Sequence, residues 1–211
     1  MQGYQFAHLE TWSIAGSAGN LHHKTRNNGQ RAWTAAEILD EAERLEGASF
    51  HVERPAAPAV FPAAVKSVAE LREAHAAAAS LRETYTYTKD GAASTRRRKL
   101  RRDARTLYSA VFSLPVESAD YRADGDLAKR CDALLKQAMD HDAARIAAAG
   151  GHVQCGVLHT DEKYVHLHVY ALDAGRGRVD HLHPGAAAKK AVEADPANNG
   201  LSKSDRNRKG N

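Results

Sequence analysis

The chain has 211 residues, enough for one sizeable core or two small ones. Apolar residues make up 43%, much of it alanine, and charged residues 27%, with a net charge of +4 that mildly favours a polyanionic partner. No apolar run reaches membrane-spanning length and the first residues lack the pattern of a secretion signal, while the two distant cysteines, Cys131 and Cys155, suggest no metal motif and fit a reduced cytosol.

Residues 2–12 alternate loosely around Tyr4, Phe6, Leu9 and Trp12 and predict an opening strand, ended by Gly16, Gly19 and Asn20. Residues 20–31 are polar and basic, with His22, His23, Arg26 and Arg31, and read as a loop. Thr34 and Glu37 form a capping box, and Ile38, Leu39, Ala42 and Leu45 follow at helical spacing, with Gly47 placed to close the helix. Proline-rich residues 49–62 predict an extended connection, and 63–81 a helix carrying Val65, Val68 and Leu71. Tyr85 to Thr88 alternates ahead of a Lys89-Asp90-Gly91 turn, as in a short hairpin or loop.

Residues 96–105 carry seven positive charges against one negative: Arg96, Arg97, Arg98, Lys99, Arg101, Arg102 and Arg105 against Asp103. Such a run is either a solvated helical face or a strip that neutralises phosphates with strongly salt-dependent binding. Residues 107–116 predict a buried strand ending at Pro115, and 118–148 a helix with an apolar stripe through Leu127, Cys131, Leu135 and Met139, stopped by Gly150-Gly151. Strands follow at 152–158 and 164–172, then a short strand over Val179 to His183 and a short helix over Ala186 to Ala194. The pattern predicts an α+β domain over 1–194, an antiparallel sheet with helices packed on the face opposite the histidines, and a disordered polar, basic tail or linker over 195–211.

The densest chemistry lies in His159-Thr-Asp-Glu162-Lys-Tyr-Val-His166-Leu-His168. His166 and His168 are two apart, so on a strand their rings share a face, and a short turn at Thr160 to Lys163 folds His159 back beside them. Three imidazoles on two adjacent strands suit a divalent metal with positions left open for a substrate oxygen. Nitrogen donors favour zinc, manganese, nickel or cobalt over the oxygen sites that magnesium prefers. His181 and His183 form a second alternate pair, read as a surface pair at a strand end; His51, His75 and His152 read as structural or surface residues.

With its His-x-x-Glu-x-x-x-His-x-His spacing, its His23-Lys-Thr-Arg26 element and its Arg101-Arg102-Asp103-Ala104 segment before a strand, the chain resembles the relaxase domain of the Mob/Pre plasmid mobilization family, within the HUH endonucleases. Val165 stands where that family usually has proline. The resemblance implies an HUH relaxase-like fold in the bacterial cytoplasm. It implies an enzyme that nicks one DNA strand at a plasmid transfer origin and stays covalently bound to the 5′ phosphate. It implies His159, His166 and His168 as ligands of a divalent metal, often manganese, with magnesium or zinc as alternatives, and Glu162 as a group that orients a ligand or transfers a proton. His23 matches the family's histidine nucleophile, with Arg26 pairing a phosphate; His22 and the tyrosines Tyr4, Tyr164 and Tyr170 stay open as alternatives. Arg26, Arg31, Arg96, Arg97, Arg98, Lys99, Arg101 and Arg102 are then expected on origin DNA, both the single-stranded nick region and an adjacent duplex or hairpin. A conjugation coupling protein is the further partner implied. A rolling-circle replication initiator of the same superfamily and a histidine-triad-like nucleotide hydrolase are the alternative activities.

Overall fold

The computed structural model describes residues 6–15, 33–57, 59–61, 66–202 and 205. His22, His23, Arg26 and Arg31 therefore lie outside the described residues, as does Tyr4. The elements run β1 (Phe6–Ser13), α1 (Ala35–Ala42), β2 (Ala59–Val60), α2 (Val68–Ala79), β3 (Arg82–Lys89), β4 (Ala92–Lys99), β5 (Arg105–Glu117), α3 (Ser118–Ala123), α4 (Gly125–Ala148), β6 (His152–His159), β7 (Tyr164–Leu172) and α5 (Pro184–Ala194). Five strands form one sheet in the order β1-β5-β7-β6-β2, every neighbour antiparallel, and β3 and β4 pair separately. The fold is α+β, with an antiparallel sheet and helices packed on it.

Alternation along β7 separates the two faces. Leu167, Val169 and Ala171 join Leu135, Met139 and Ile146 of α4 in one core, with Tyr108 of β5. Tyr170 and Leu172 face the other way, into a second core with Leu39 of α1, Val68 and Leu71 of α2, and Leu107, Cys155 and Val157 of the sheet. Helix α4, with Tyr121 of α3 beside it, packs opposite the histidines as expected. Helices α1 and α2 cover part of the same face as His166 and His168, because that face also carries the large apolar groups Leu107, Val157 and Tyr170, which need covering.

Local chemistry sets the boundaries. Thr34 caps α1 by accepting from Glu37 N–H while Glu37 accepts from Thr34 N–H, the reciprocal box read from the sequence. Ser67 and Glu70 repeat it for α2, which starts there and not at residue 63. The expected single helix over 118–148 is two: Asp124 leaves helical geometry, and its side chain accepts from Asp126 and Leu127 N–H to start α4 afresh. β5 runs through Pro115 to Glu117. The expected strand at Val179 to His183 is a 3-10 turn over Asp180–Leu182, and His183 is a cap of α5 whose ring accepts from Ala186 N–H. Part of the expected disordered tail is ordered: Asp195 caps a 3-10 turn over Pro196–Asn198, and Asn198 is buried with its amide donating to Val192 C=O.

The basic run is neither a helical face nor a single strip. Arg96 to Lys99 lie on β4, paired with β3 across an Asp90-Gly91 turn in which both residues have positive φ. The register puts Arg96 and Arg98 on one face, over the rings of Tyr87 and Tyr85, and Arg97 and Lys99 on the other beside Thr84 and Arg82. Leu100 is buried at the root of this ribbon, and Gly177 packs so closely there that a Cβ would lie 2.4 Å from Ala78 O.

Leu167 anchors the histidine strand from behind. Leu167→Ala is expected to cost about 2–5 kcal/mol, as for other fully buried leucines, read as a fall in urea midpoint at unchanged slope.

Candidate metal centre

The β6–β7 register pairs His159 with His166 and Val157 with His168, so three imidazoles converge beside the 160–163 turn. Their ring centroids lie 4.5 Å (His159–His168), 5.1 Å (His166–His168) and 5.4 Å (His159–His166) apart, and one nitrogen from each falls within 4.8 Å of the others. His159 and His166 are buried and His168 nearly so.

Each ring has one nitrogen against a neighbouring oxygen. His159 Nε2 lies 3.3 Å from Ala42 O, which can only accept, so the proton sits on Nε2 and Nδ1 keeps its lone pair. That Nδ1 is buried with no hydrogen-bond partner among the described residues. His166 Nδ1 donates to Tyr164 O at 3.1 Å, which leaves Nε2 bare, 3.3 Å from Glu162 Oε1. A lone pair facing a carboxylate is repulsive unless a proton or a metal ion lies between them. His168 Nδ1 lies 3.1 Å from Tyr170 Oη and 3.7 Å from Glu41 Oε2. Metal-binding histidines have this arrangement, the second nitrogen fixed by an acceptor behind it. The donors fit a divalent cation, and His159, His166 and His168, or Glu41, His159 and Glu162, could hold one.

Electrostatics keep the His159 and His168 rings neutral. Burial, with Arg44 and His166 nearby, lowers the His159 pKa to about 3, and burial and the neighbouring imidazoles push His168 well below its ordinary value. Glu162 is held well below the usual carboxylate range: burial opposes this, but His166 and Arg44 outweigh it. Glu41 is raised by burial against the pull of Arg44.

Sequence reading missed the residues that brace this centre. Arg44 is buried, and its guanidinium donates to Asp161 through Nε (2.9 Å) and Nη2 (2.8 Å), to Glu162 through Nη2 (2.8 Å), and to Glu41 through Nη1. Ala56 N–H adds a bond to Asp161. His51, read as structural or surface, stands at the mouth, 3.4 Å from Glu162 Oε1. Asp161 had a signal in its place within the histidine motif; Glu41 and Arg44 look like ordinary charges on a helix end.

A cleft of about 390 Å³ opens above the centre, lined by Glu41, His51, Ser113, Glu162, Tyr164, His166 and His168, with His8 and Lys163 also on its wall. Arg96, Arg97, Arg98, Lys99, Arg101 and Arg102 are exposed but not beside it. They join the sheet before Arg105, six residues along β5 from the partner of His168, on the order of 20 Å away at about 3.3 Å per residue. Tyr170 is fully buried and its hydroxyl pKa is pushed well up by burial, so it backs His168 and offers no nucleophile. No helix among the described residues is long and apolar enough to cross a membrane. No family model matches the chain, and no curated protein or solved structure is significantly similar to it.

A divalent ion should raise the unfolding temperature and chelator should reverse the rise. At a free concentration about a hundred times Kd the gain is about 2.7 kcal/mol, and differential scanning fluorimetry of His159→Ala should show none of it. Acid should destabilise the metal-free protein. His159 titrates near its ordinary 6.5 when unfolded and near 3 when folded, so from about pH 6.5 downward the unfolded chain binds protons that the native ring refuses. The urea midpoint should therefore fall between pH 7 and pH 5, and fall less in His159→Gln.

Proposed function

We propose that the chain is a metal-dependent DNA strand transferase of the relaxase type, nicking one strand of plasmid DNA at a transfer origin in the bacterial cytoplasm. The convergence of His159, His166 and His168, the last two lining an open cleft with His159 buried behind them, carries this reading. A bound divalent cation, manganese first with magnesium or zinc as alternatives, would polarise the scissile phosphate as a Lewis acid. The Glu162 carboxylate, 3.3 Å from His166 Nε2, would add a hard oxygen donor to the imidazoles, a mixture that suits manganese.

The chain's own groups divide the remaining work. A neutral imidazole, His23 on the resemblance, attacks phosphorus; the P–N bond forms, the P–O3′ bond breaks, and the 3′ oxygen takes a proton from solvent. Arg26 pairs with a phosphate oxygen through its planar fork. The β3–β4 ribbon presents arginines on both faces and has the width of an element that fits a DNA major groove, which suits a duplex or hairpin beside the nick. A coupling protein for conjugation is the further partner. The histidine-triad alternative loses ground because Tyr170, where a third alternate histidine would stand, is buried behind His168.

A tyrosine nucleophile is favoured by one observation: Tyr164 lines the cleft beside His166 and is 37% exposed. Supercoiled plasmid carrying the cognate origin should be nicked only with divalent metal, and His166→Ala should reduce nicking about a hundredfold or more with origin binding preserved. An acid-labile adduct absent in His23→Ala supports the histidine; an acid-stable adduct absent in Tyr164→Phe supports the tyrosine; no adduct in wild type defeats the reading. Arg97→Ala should weaken binding to all sequences alike and lower the log–log salt slope by about 1.

A further inference from the structure

We infer that the C-terminal turn of α1 is a working part of the metal centre, with Glu41 and Arg44 as positioning residues that decide which nitrogen of His168 meets the ion and where Glu162 stands. The inference rests on the metal-binding half of the reading above and not on DNA cleavage.

Three of the groups that brace the centre come from this single turn. Ala42 O fixes His159 Nε2, Glu41 Oε2 approaches His168 Nδ1, and Arg44 holds Glu41, Asp161 and Glu162 together. The backbone at Arg44 is left-handed, φ 57°, in the position after a helix where glycine is the easy choice. A large residue holds that strained conformation with its side chain only 2% exposed, so the contacts of the side chain offset the strain.

His168 has two competing partners. The Tyr170 hydroxyl can donate to Nδ1 or accept from it, so alone it does not choose a tautomer. The Glu41 carboxylate can only accept when ionised, and beside Nδ1 it keeps the proton there, leaving Nε2 for the ion. Without that charge, Tyr170 donates to Nδ1, the proton moves to Nε2, and the ligand is blocked. Arg44 aims this carboxylate through Nη1 while fixing Glu162 through Nη2.

The test uses the full chain, Mn2+ calorimetry, and imidazole nitrogen spectra of the metal-free protein. Glu41→Gln preserves size and removes the charge; it should weaken Mn2+ binding about 10–100-fold and move His168 to the Nε2–H tautomer, with His166 unmoved. Arg44→Lys preserves the charge and loses the fork; it should weaken Mn2+ binding comparably, and it carries the test alone if Glu41→Gln folds poorly. Wild-type Mn2+ affinity in both variants with the His168 tautomer unchanged overturns the inference and leaves the metal reading intact. A wild-type chain that binds no divalent ion overturns the metal reading itself.

Discussion

Three imidazoles are held out of water with one nitrogen of each set against a fixed oxygen, and much of the architecture follows from that requirement. A buried polar nitrogen without a partner is costly, and His159 Nδ1 has none among the described residues. The antiparallel register of β6 and β7 brings the rings together, the carbonyls of Ala42 and Tyr164 orient two of them, and the Glu41 and Tyr170 oxygens stand behind the third. The apolar sheet around them supplies the rigidity: Leu167 and Val169 point into the α4 core from the same strand, so the histidines cannot shift register without exposing that core.

The parts of this arrangement that depend on local spacing were legible in the sequence. A two-residue period on a strand puts His166 and His168 on one face, a four-residue turn returns His159, and Thr34 with Glu37 marks a helix start, all within a few residues. The parts that depend on distant contacts were not. Arg44 meets Asp161 across 117 residues, and no pattern around Arg44 distinguishes it from a solvated lysine or arginine after a helix. The basic run misled for a related reason: charge density says nothing of period, and Arg96 to Lys99 suited a helix until Tyr85 and Tyr87 were seen paired opposite them. Val179 to His183 has strand-like alternation, yet no strand among the described residues pairs with it; the segment turns so that Leu182 enters the α4 core.

Placing the cations away from the histidines has an electrostatic logic. Exposed arginines beside the imidazoles would raise the local potential and oppose a divalent cation in the cleft, whereas the ribbon joins the sheet on the order of 20 Å along β5 from the partner of His168, beyond a Debye length of about 8 Å at physiological salt. Arg44, whose guanidinium reaches the carboxylates of the centre, is neutralised by them on three sides. Long-range attraction of a polyanion can then reside in the ribbon while the cleft stays suited to a metal ion.

That separation also constrains any strand that reaches both regions. One duplex step rises about 3.4 Å, so the six residues of β5 between Arg105 and the partner of His168, at about 3.3 Å each, correspond to about six stacked pairs. A duplex held on the ribbon and a strand end in the cleft would have to be joined by such a segment, crossing the open wall formed by His8, Val111 and Ser113. The ribbon's two faces are not equivalent for this. Arg98 is tied to Glu83 and stacked on Tyr85, whereas Arg97 and Lys99 have no carboxylate partner among the described residues, so the second face is the one freer to exchange solvent for phosphate.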